Sequence, residues 1–263
     1  MRPEGQTGFV SLVGAGPGRL EYLTLGALRR VERADMIFHD ALLDPELLAQ
    51  ARPGAEVVNV GKRAACARAA KQDTILHLMV EAARKGAYVV RLKAGDPFVL
   101  GRGGEEGLYL RQQGVSFEVV PGLSSALLAP QVAGIPVTHR GLTTGFLTVS
   151  GHHLDGFRDL VLGLTPMSVT LVVLMGFRNR DALRDCLLEL GWRSDLPLAL
   201  IAGAGQAPQR VGRSTLGRLG LESEFDPQGA PVTMVIGWTA GLEIASDLET
   251  PTGARNARSA AAV

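Results

Sequence analysis

The 263-residue sequence has little cysteine and almost no net charge, and both absences exclude classes of protein. Its two cysteines, Cys66 and Cys186, are far apart and form no Cys-x-x-Cys pair. This spacing argues against a disulfide framework and a zinc site, and it favours a reducing compartment. The net charge of +1 supplies no overall field for nucleic acid or for an anionic membrane. We therefore expect neither kind of partner.

Long hydrophobic runs and processing signals are also missing. The longest apolar candidate, residues 168–176, has the length of a strand and falls short of the roughly 20 residues that span a bilayer. The N-terminal region has no basic segment followed by an apolar core and a cleavage site. We predict a cytoplasmic location.

Motifs for metal-dependent or nucleophilic catalysis are absent as well. There is no Walker A lysine motif and no His-Glu-x-x-His. Ser124-Ser125 lies outside a Gly-x-Ser-x-Gly elbow and is able to cap the helix that follows. The adjacent His152 and His153 have no third ligand at suitable spacing, and at a strand end they are expected to point in opposite directions. We predict no metal site.

The first half of the chain alternates short β-rich runs with amphipathic helices. This alternation indicates a mostly parallel sheet covered by helices. The patterns predict strands at 9–14, 36–40, 56–61, 88–93 and 115–120, and helices at 24–34, 45–50 and 73–85, with a further helix beginning near Glu105.

The second half has more closely spaced strands, which predict a second α/β domain with a mixed sheet. We place an N-terminal domain at 1–122, a C-terminal domain at 123–245 and a mobile tail at 246–263, where periodicity is lost. In this half the patterns predict helices at 124–133 and 180–190 and strands at 146–150, 169–175, 196–202, 210–214 and 232–237.

The run from Lys93 to Glu106 is the strongest candidate for a ligand site. It follows a predicted strand, and open α/β sheets bind ligands at the carboxyl ends of their strands. It combines several glycines, which allow close approach of the backbone to a ligand, with an Asp-Pro corner and Arg102. A hydrophobic core does not need that mixture.

Three other segments leave alternatives open. Residues 14–18 form Gly-x-Gly-x-Gly with Pro17, which departs from the dinucleotide fingerprint. The segment is a dinucleotide site, a tight strand-to-helix turn or, as we favour, a site for a different nucleoside. Asp40 either faces a ligand or caps the helix that begins near Asp44. Lys62-Arg63 either contacts a ligand or forms a solvated basic turn.

Eight short motifs follow one another between about Phe9 and Ala240: VGAGPG (13–18), HDAL (39–42), VGKR (60–63), RLKAGDPF (91–98), GRGGEE (101–106), VPG (120–122), GIPVTHR (134–140) and GH (151–152). Together they resemble the tetrapyrrole methylase family. No single motif is specific for this family, but the eight motifs in this order are.

The resemblance implies a two-domain α/β fold with the active cleft between the domains, and a homodimer. It implies S-adenosyl-L-methionine as methyl donor, with S-adenosyl-L-homocysteine as product. The expected reaction is methylation of rings A and B of uroporphyrinogen III, a small-molecule tetrapyrrole, to give precorrin-2 for sirohaem and cobalamin synthesis.

The resemblance also implies roles for individual residues. Asp40 is the candidate base that accepts a proton from the ring system. Candidate contacts to the substrate, mostly cations for its carboxylates, are Lys62, Arg63, Phe98, Arg102, His139, Arg140 and His152. Donor contacts are expected from Pro17, Ala94, Gly95, Asp96, Val99, Ser124, Ser125, Met175, Ala204, Pro231, Val232 and Thr233.

The sequence departs from the family pattern at three places. Ala94 replaces a glycine, which is tolerable if its φ is negative. Leu174 stands where relatives often carry tyrosine, so a hydroxyl facing the substrate is missing. Residues 202–206 (AGAGQ) predict donor contacts through backbone more than through side chains. Three other functions are alternatives to the expected reaction: a later precorrin methylase, an RNA methylase and a non-catalytic donor-sensing module. The absence of a basic stripe argues against the RNA methylase.

Overall fold

The described part of the chain forms two five-stranded sheets. The structure is a computed structural model that describes residues 8–41, 43–61, 72–221, 225–242 and 244. The predicted tail and the Lys62-Arg63 pair lie outside these residues. A parallel first sheet and a mixed second sheet confirm the predicted fold class, while the predicted domain boundary near residue 122 stays a prediction.

The first sheet is entirely parallel, with strand order β3-β2-β4-β1-β5. Helices cover both of its faces, as expected for parallel strands. Met79 and Leu110 pack on one face, and Val31 and Leu47 pack on the other. Its strands are β1 (Phe9–Gly14), β2 (Met36–His39), β3 (Glu56–Asn59), β4 (Tyr88–Lys93) and β5 (Phe117–Val120).

The second sheet has the order β6-β7-β10-β8-β9. Its first pair is parallel and the other three pairs are antiparallel. Its strands are β6 (Phe146–Ser150), β7 (Thr170–Leu174), β8 (Pro197–Ala202), β9 (Arg210–Thr215) and β10 (Val232–Ile236).

Side-chain caps lie at the start of two helices, at the residues where the sequence predicts that these helices begin. The hydroxyl of Thr24 accepts from the N–H of Ala27, and the hydroxyl of Ser124 accepts from the N–H of Ala126. The helices are α1 (Leu25–Val31), α2 (Pro45–Leu48), α3 (Gln72–Arg84), α4 (Gly103–Gln112), α5 (Ser125–Val132), α6 (Leu154–Leu162) and α7 (Arg180–Glu189).

Helix α6 is absent from the sequence predictions. Its apolar positions Leu154, Phe157 and Val161 fall on one helical face, and the last two are buried in the core of the second sheet. The signal was therefore present, although Gly156 and Gly163 weaken it. Helix α1 also ends at Val31, three residues before its predicted end.

Two absences hold for the described part of the chain. None of its helices is long and apolar enough to cross a membrane. Nor do its His, Cys, Asp and Glu side chains gather in threes or more in a way that would hold a metal ion.

A polar network ties β1, β5 and α1 together. The Glu118 carboxylate accepts from the Ser11 hydroxyl at 2.8 Å and from Arg30 at 3.0 and 2.8 Å. Partial burial raises the pKa of Glu118, but the hydrogen bonds from Arg30 and Ser11 outweigh it and lower the pKa to about 2.

We predict that Glu118→Gln lowers the free energy of unfolding by about 1 kcal/mol at pH 7, since a part-exposed ion pair is screened. The folded-state pKa lies below the unfolded value of roughly 4.3. The stabilisation is therefore complete above about pH 5 and is lost as the pH falls toward about 2. Denaturant unfolding at pH 7, 5 and 3.5 measures it. A difference between wild type and variant that grows as the pH falls would contradict the assignment.

Candidate active site

A cavity of about 300 Å³ lies between the two sheets. Its walls come from the segments after β1, β4 and β5 in the first sheet, and from the segments after β7 and β8 and the start of β10 in the second. This volume is at the lower end of the range for small-molecule sites. Its position at the carboxyl ends of parallel strands is where α/β proteins bind ligands.

Every residue predicted for donor binding lines this cavity. They are Pro17, Ala94, Gly95, Asp96, Val99, Ser124, Ser125, Met175, Ala204, Pro231, Val232 and Thr233. The structure therefore brings them together, and their contacts with a donor stay a prediction. Six further residues line the cavity, either in the candidate segments 14–18, 93–106 and 202–206 or at the departure from the family pattern at 174: Gly16, Leu100, Gly101, Gly203, Gln206 and Leu174.

Three glycines allow the ends of β1, β4 and β5 to meet beneath the cavity. A Cβ atom on Gly122 would lie 2.4 Å from the carbonyl oxygen of Gly95. A Cβ atom on Gly14 would lie 2.5 Å from the backbone nitrogen of Gly122. Both distances are shorter than any real carbon contact, so a side chain at either position would force the strand ends apart.

Gly95 is also required by its backbone conformation. Its φ of +72° lies in the left-handed region. It exchanges two backbone hydrogen bonds with Gly16, at 3.1 and 2.7 Å. A Cβ on Gly95 would meet no atom within 4 Å, so the absent side chain leaves open space at the cavity wall. The preceding Ala94 is not among the described non-glycine residues with positive φ, as the sequence analysis required.

Asp96 holds two loops together. One carboxylate oxygen accepts from the N–H of Phe98 at 2.8 Å, and the other accepts from the N–H of Gly122 at 3.1 Å. The side chain thus joins the segment after β4 to the segment after β5. Because both loops contribute to the cavity, Asp96 fixes its shape as well as its charge.

The second sheet closes the cavity from the other side. The Gln206 side chain donates to the carbonyl oxygen of Pro17 at 2.6 Å and so links the two halves directly. Met175, which follows β7, has a φ of +57°, an uncommon conformation for a residue other than glycine. Such conformations persist where the surrounding structure enforces them, often at functional sites.

Asp40 lies at the end of β2, beside the cavity. One of its oxygens accepts from Arg91 Nη2 at 2.6 Å, and the other accepts from the N–H of Ala94 at 3.0 Å. The interpretation of Asp40 as a helix cap is wrong, because Asp44 caps α2. Asp40 is instead held by two donors against a cavity-lining residue, with 30% of its side chain exposed.

Behind Asp40 lies a buried charge cluster that the sequence analysis did not recognise. It consists of Arg91, Lys93 and Glu106, whose side chains are each at most 4% exposed. Burial lowers the pKa of Lys93, as does the charge of Arg91, while the Glu106 carboxylate opposes both.

The predicted substrate contacts are not brought together in the same way. Lys62 and Arg63 lie outside the described residues, and the cavity lining includes none of the others: Phe98, Arg102, His139, Arg140 and His152. Arg102 instead pairs with Glu105 on the surface at 2.6 Å. These five residues stay predictions for a substrate site beyond the cavity.

The expectation that His152 and His153 point in opposite directions is wrong. Their ring centroids are only 4.5 Å apart. Strand alternation does not apply to them, because β6 ends at Ser150 and both histidines lie beyond it.

The fold and the cavity define an α/β protein with a cavity of small-molecule size between two sheets. Residues 10–220 match the family model of tetrapyrrole (corrin/porphyrin) methylases. The chain belongs to this family.

Three relatives illustrate the similarity. The chain is 42% identical to the uroporphyrinogen-III C-methyltransferase of Methanocaldococcus jannaschii, over 88% of this chain and 96% of the relative. It is 43% identical to the enzyme of the same name from Priestia megaterium, over 81% and 90%. The solved structure of uroporphyrin-III C-methyl transferase from Thermus thermophilus complexed with S-adenyl homocysteine matches with a TM-score of 0.73 and 40% identity, over 88% of this chain and 97% of that one.

We predict that Asp96→Asn weakens binding of S-adenosyl-L-homocysteine by about 10- to 100-fold. Asparagine keeps the size of the side chain but accepts a hydrogen bond from only one of the two backbone N–H groups. The lost bond is charge-assisted, and a bond of this kind is worth about 1.5–3 kcal/mol. Isothermal titration calorimetry measures the affinity.

The matched control is Asp195→Asn. Asp195 pairs with Arg193 on the surface before β8, at the strand's other end from the cavity. Unchanged affinity in Asp96→Asn, or an equal loss in the control, would contradict the assignment of Asp96.

Proposed function

We propose that this chain transfers methyl groups from S-adenosyl-L-methionine to rings A and B of uroporphyrinogen III, giving precorrin-2. The observation that carries the proposal is the similarity to the M. jannaschii enzyme, which extends over 96% of that protein. The cavity supports it, because all the predicted donor residues meet there.

The chemistry of the cavity fits the donor. At neutral pH the donor has a net charge of +1, from a sulfonium, an ammonium and a carboxylate. Among the described residues that line the cavity, Asp96 alone is charged, and its charge is negative. Ser124 and Ser125 add hydroxyl groups at the start of α5, and the open face of Gly95 leaves room for a ligand.

The residues of the chain act mainly by orientation. When bound, the donor supplies an electrophilic methyl group, which leaves sulfur as the electron-rich ring carbon bonds to it. Asp96 and the joined loops after β4 and β5 fix the donor, while Leu174 and Met175 close the cavity from the second sheet. Alignment of this kind contributes several kcal/mol in favourable cases.

Asp40 accepts the proton that the ring system loses when the new C–C bond forms. Its carboxylate is fixed by Arg91 and by the backbone of the cavity-lining Ala94, and part of its side chain remains exposed. A positioned carboxylate is a suitable general base, which typically contributes 10²–10⁴-fold to the rate.

The substrate's carboxylates require cations outside the donor cavity. The candidates are Lys62, Arg63, Arg102, His139, Arg140 and His152, with Phe98 as an apolar contact. Arg102 pairs with Glu105 on the exposed surface, so a substrate carboxylate would replace Glu105 as its partner. Surface ion pairs of this kind cost about 0–1 kcal/mol to break.

We also propose that the chain functions as a homodimer, as the family resemblance implies. Sedimentation equilibrium of the purified chain tests this. A single species of monomer mass at micromolar concentration would contradict it.

The test of function is anaerobic incubation with uroporphyrinogen III and S-adenosyl-L-methionine, followed by mass spectrometry of the product. We expect a gain of two methyl groups. No gain, with S-adenosyl-L-homocysteine still bound, would contradict the proposal. Parallel incubations with later corrinoid precursors and with RNA would then distinguish a later precorrin methylase, an RNA methylase and a donor-sensing module.

We predict that Asp40→Asn lowers kcat by about 10²–10⁴-fold, because it removes the proton acceptor. The affinity for S-adenosyl-L-homocysteine should change by less than about threefold, since the amide oxygen is still able to accept from Ala94. Steady-state kinetics and calorimetry measure the two effects. Equal losses of turnover and donor affinity would show that Asp40 is structural.

A further inference from the structure

Glu106 is a fully buried carboxylate at the centre of the cluster behind Asp40. It lies in the first turn of α4 and is 0% exposed. Its Oε1 accepts from Lys93 Nζ at 2.9 Å, from Gln72 Nε2 at 3.0 Å and from Arg91 Nε at 3.4 Å. Its Oε2 is buried with no hydrogen-bond partner among the described residues. An unsatisfied buried oxygen is costly, so its retention calls for an explanation.

Arg91 connects Glu106 to Asp40, and its whole guanidinium group is engaged. Nε faces Glu106, Nη1 donates to the carbonyl oxygens of Phe38 and Leu92, and Nη2 donates to Asp40. The planar fork of arginine makes these directions interdependent. A change at Glu106 therefore reaches Asp40 through one rigid group.

The charges of the cluster and of Asp40 together balance. Arg91 and Lys93 contribute two positive charges, and Glu106 and Asp40 contribute two negative ones. Burying an ion without a counter-charge costs several kcal/mol. Without Glu106, both cations would have Asp40 as their remaining carboxylate in this cluster.

Each element around the cluster contributes polar or charged groups. β4 provides Arg91 and Lys93, the end of β2 provides His39 and Asp40, α4 provides Glu105 and Glu106, and α3 begins with Gln72 and Asp73. The Nδ1 of His39 faces the backbone carbonyl oxygen of Asp40 at 2.9 Å. Glu105 is exposed and pairs with Arg102, so Glu106 is the carboxylate that contacts the buried cations from α4.

We propose that Glu106 is a positioning residue for the methyl-transfer reaction. Its negative charge neutralises the buried Lys93–Arg91 pair, so that Asp40 remains an effective proton acceptor. This inference rests on the proposed function, because it assigns the electrostatic control of the same base. The neutralising charge is placed in the core, out of reach of solvent and substrate, where it is not screened by salt.

The physical consequence concerns the strength of the base. If Glu106 becomes neutral, the positive charge beside Asp40 is no longer compensated, which favours the ionised form of Asp40. A more strongly stabilised carboxylate accepts a proton less readily and is a weaker base. The acid limb of the rate–pH profile then moves to lower pH, while the maximal rate falls.

The test uses Glu106→Gln, which keeps the size and removes the charge. We expect kcat to fall by about 10-fold or more, KM to change by less than about threefold, and the acid limb of kcat to move to lower pH. The Lys93→Met/Glu106→Gln double variant removes one charge of each sign and should recover most of the activity and the original acid limb. A purely structural role predicts the reverse, with the double variant worse than either single one.

Glu118→Gln is the matched control. It also removes a carboxylate of the first sheet that accepts from an arginine, Arg30 of α1. Glu118 lies on β5, which β1 and β4 separate from β2 and Asp40. We expect this variant to lose stability and to keep the wild-type kcat and pH profile. Wild-type kinetics in Glu106→Gln, or a shifted acid limb in Glu118→Gln, would overturn the proposal.

A readout that does not need turnover separates this inference from the proposed function. The carboxyl ¹³C resonance of Asp40, assigned with Asp40→Asn, reports its titration midpoint by NMR. We expect the midpoint to be lower in Glu106→Gln than in wild type and to return in the double variant. An unchanged midpoint overturns the role of Glu106. A shifted midpoint in a chain that does not methylate uroporphyrinogen III supports the charge coupling and refutes the proposed function.

Discussion

The close approach of three strand ends is the constraint on which the rest of the site depends. Gly14, Gly95 and Gly122 meet at distances that leave no room for a side chain at Gly14 or Gly122. Only this approach allows the Asp96 carboxylate to reach the N–H of Gly122 and to hold the loops after β4 and β5 side by side. The shape of the cavity is therefore set by backbone packing, and the side chains adjust its charge and its walls.

The first sheet supplies both the geometry and the electrostatics of the site. Its β4 strand leads from the buried Arg91 and Lys93 directly into Ala94 and Gly95 at the cavity wall. The second sheet contributes mainly apolar wall and the Gln206 link to Pro17. Among the described residues, the cavity lining therefore has one charged side chain, that of Asp96, while Asp40 and the buried cluster of Arg91, Lys93 and Glu106 lie beside the cavity and do not line it.

Much of the fold could be predicted from the sequence, because buried parallel strands appear as short apolar runs that end in glycine or in a charged residue. Strands β1, β4 and β6 begin and end where the patterns predict them. The resemblance to a known family also predicted twelve residues that line the cavity, although their contacts with a donor stay a prediction. Helix α6 was missed because it is short and contains Gly156, which has a low helix propensity.

Other features depend on contacts that no local pattern encodes. Glu106 resembles an ordinary acidic residue in the first turn of a helix, and only the packing of α4 against β4 reveals that it is buried against two cations. Gln206 lies in a loop whose partner, Pro17, is 189 positions away. Among the described residues, the expected substrate cations are exposed side chains whose positions the sequence does not determine: Arg102, His139, Arg140 and His152.

A crystal structure of the chain with S-adenosyl-L-homocysteine tests the central claim most directly, namely that the ends of β1, β4 and β5 and the second sheet together form the donor site. The account predicts the ligand in the cavity between the two sheets, in contact with the Ala94–Asp96 segment, the start of α5 and Met175. Well-defined density for the ligand at any other place on the protein would contradict it.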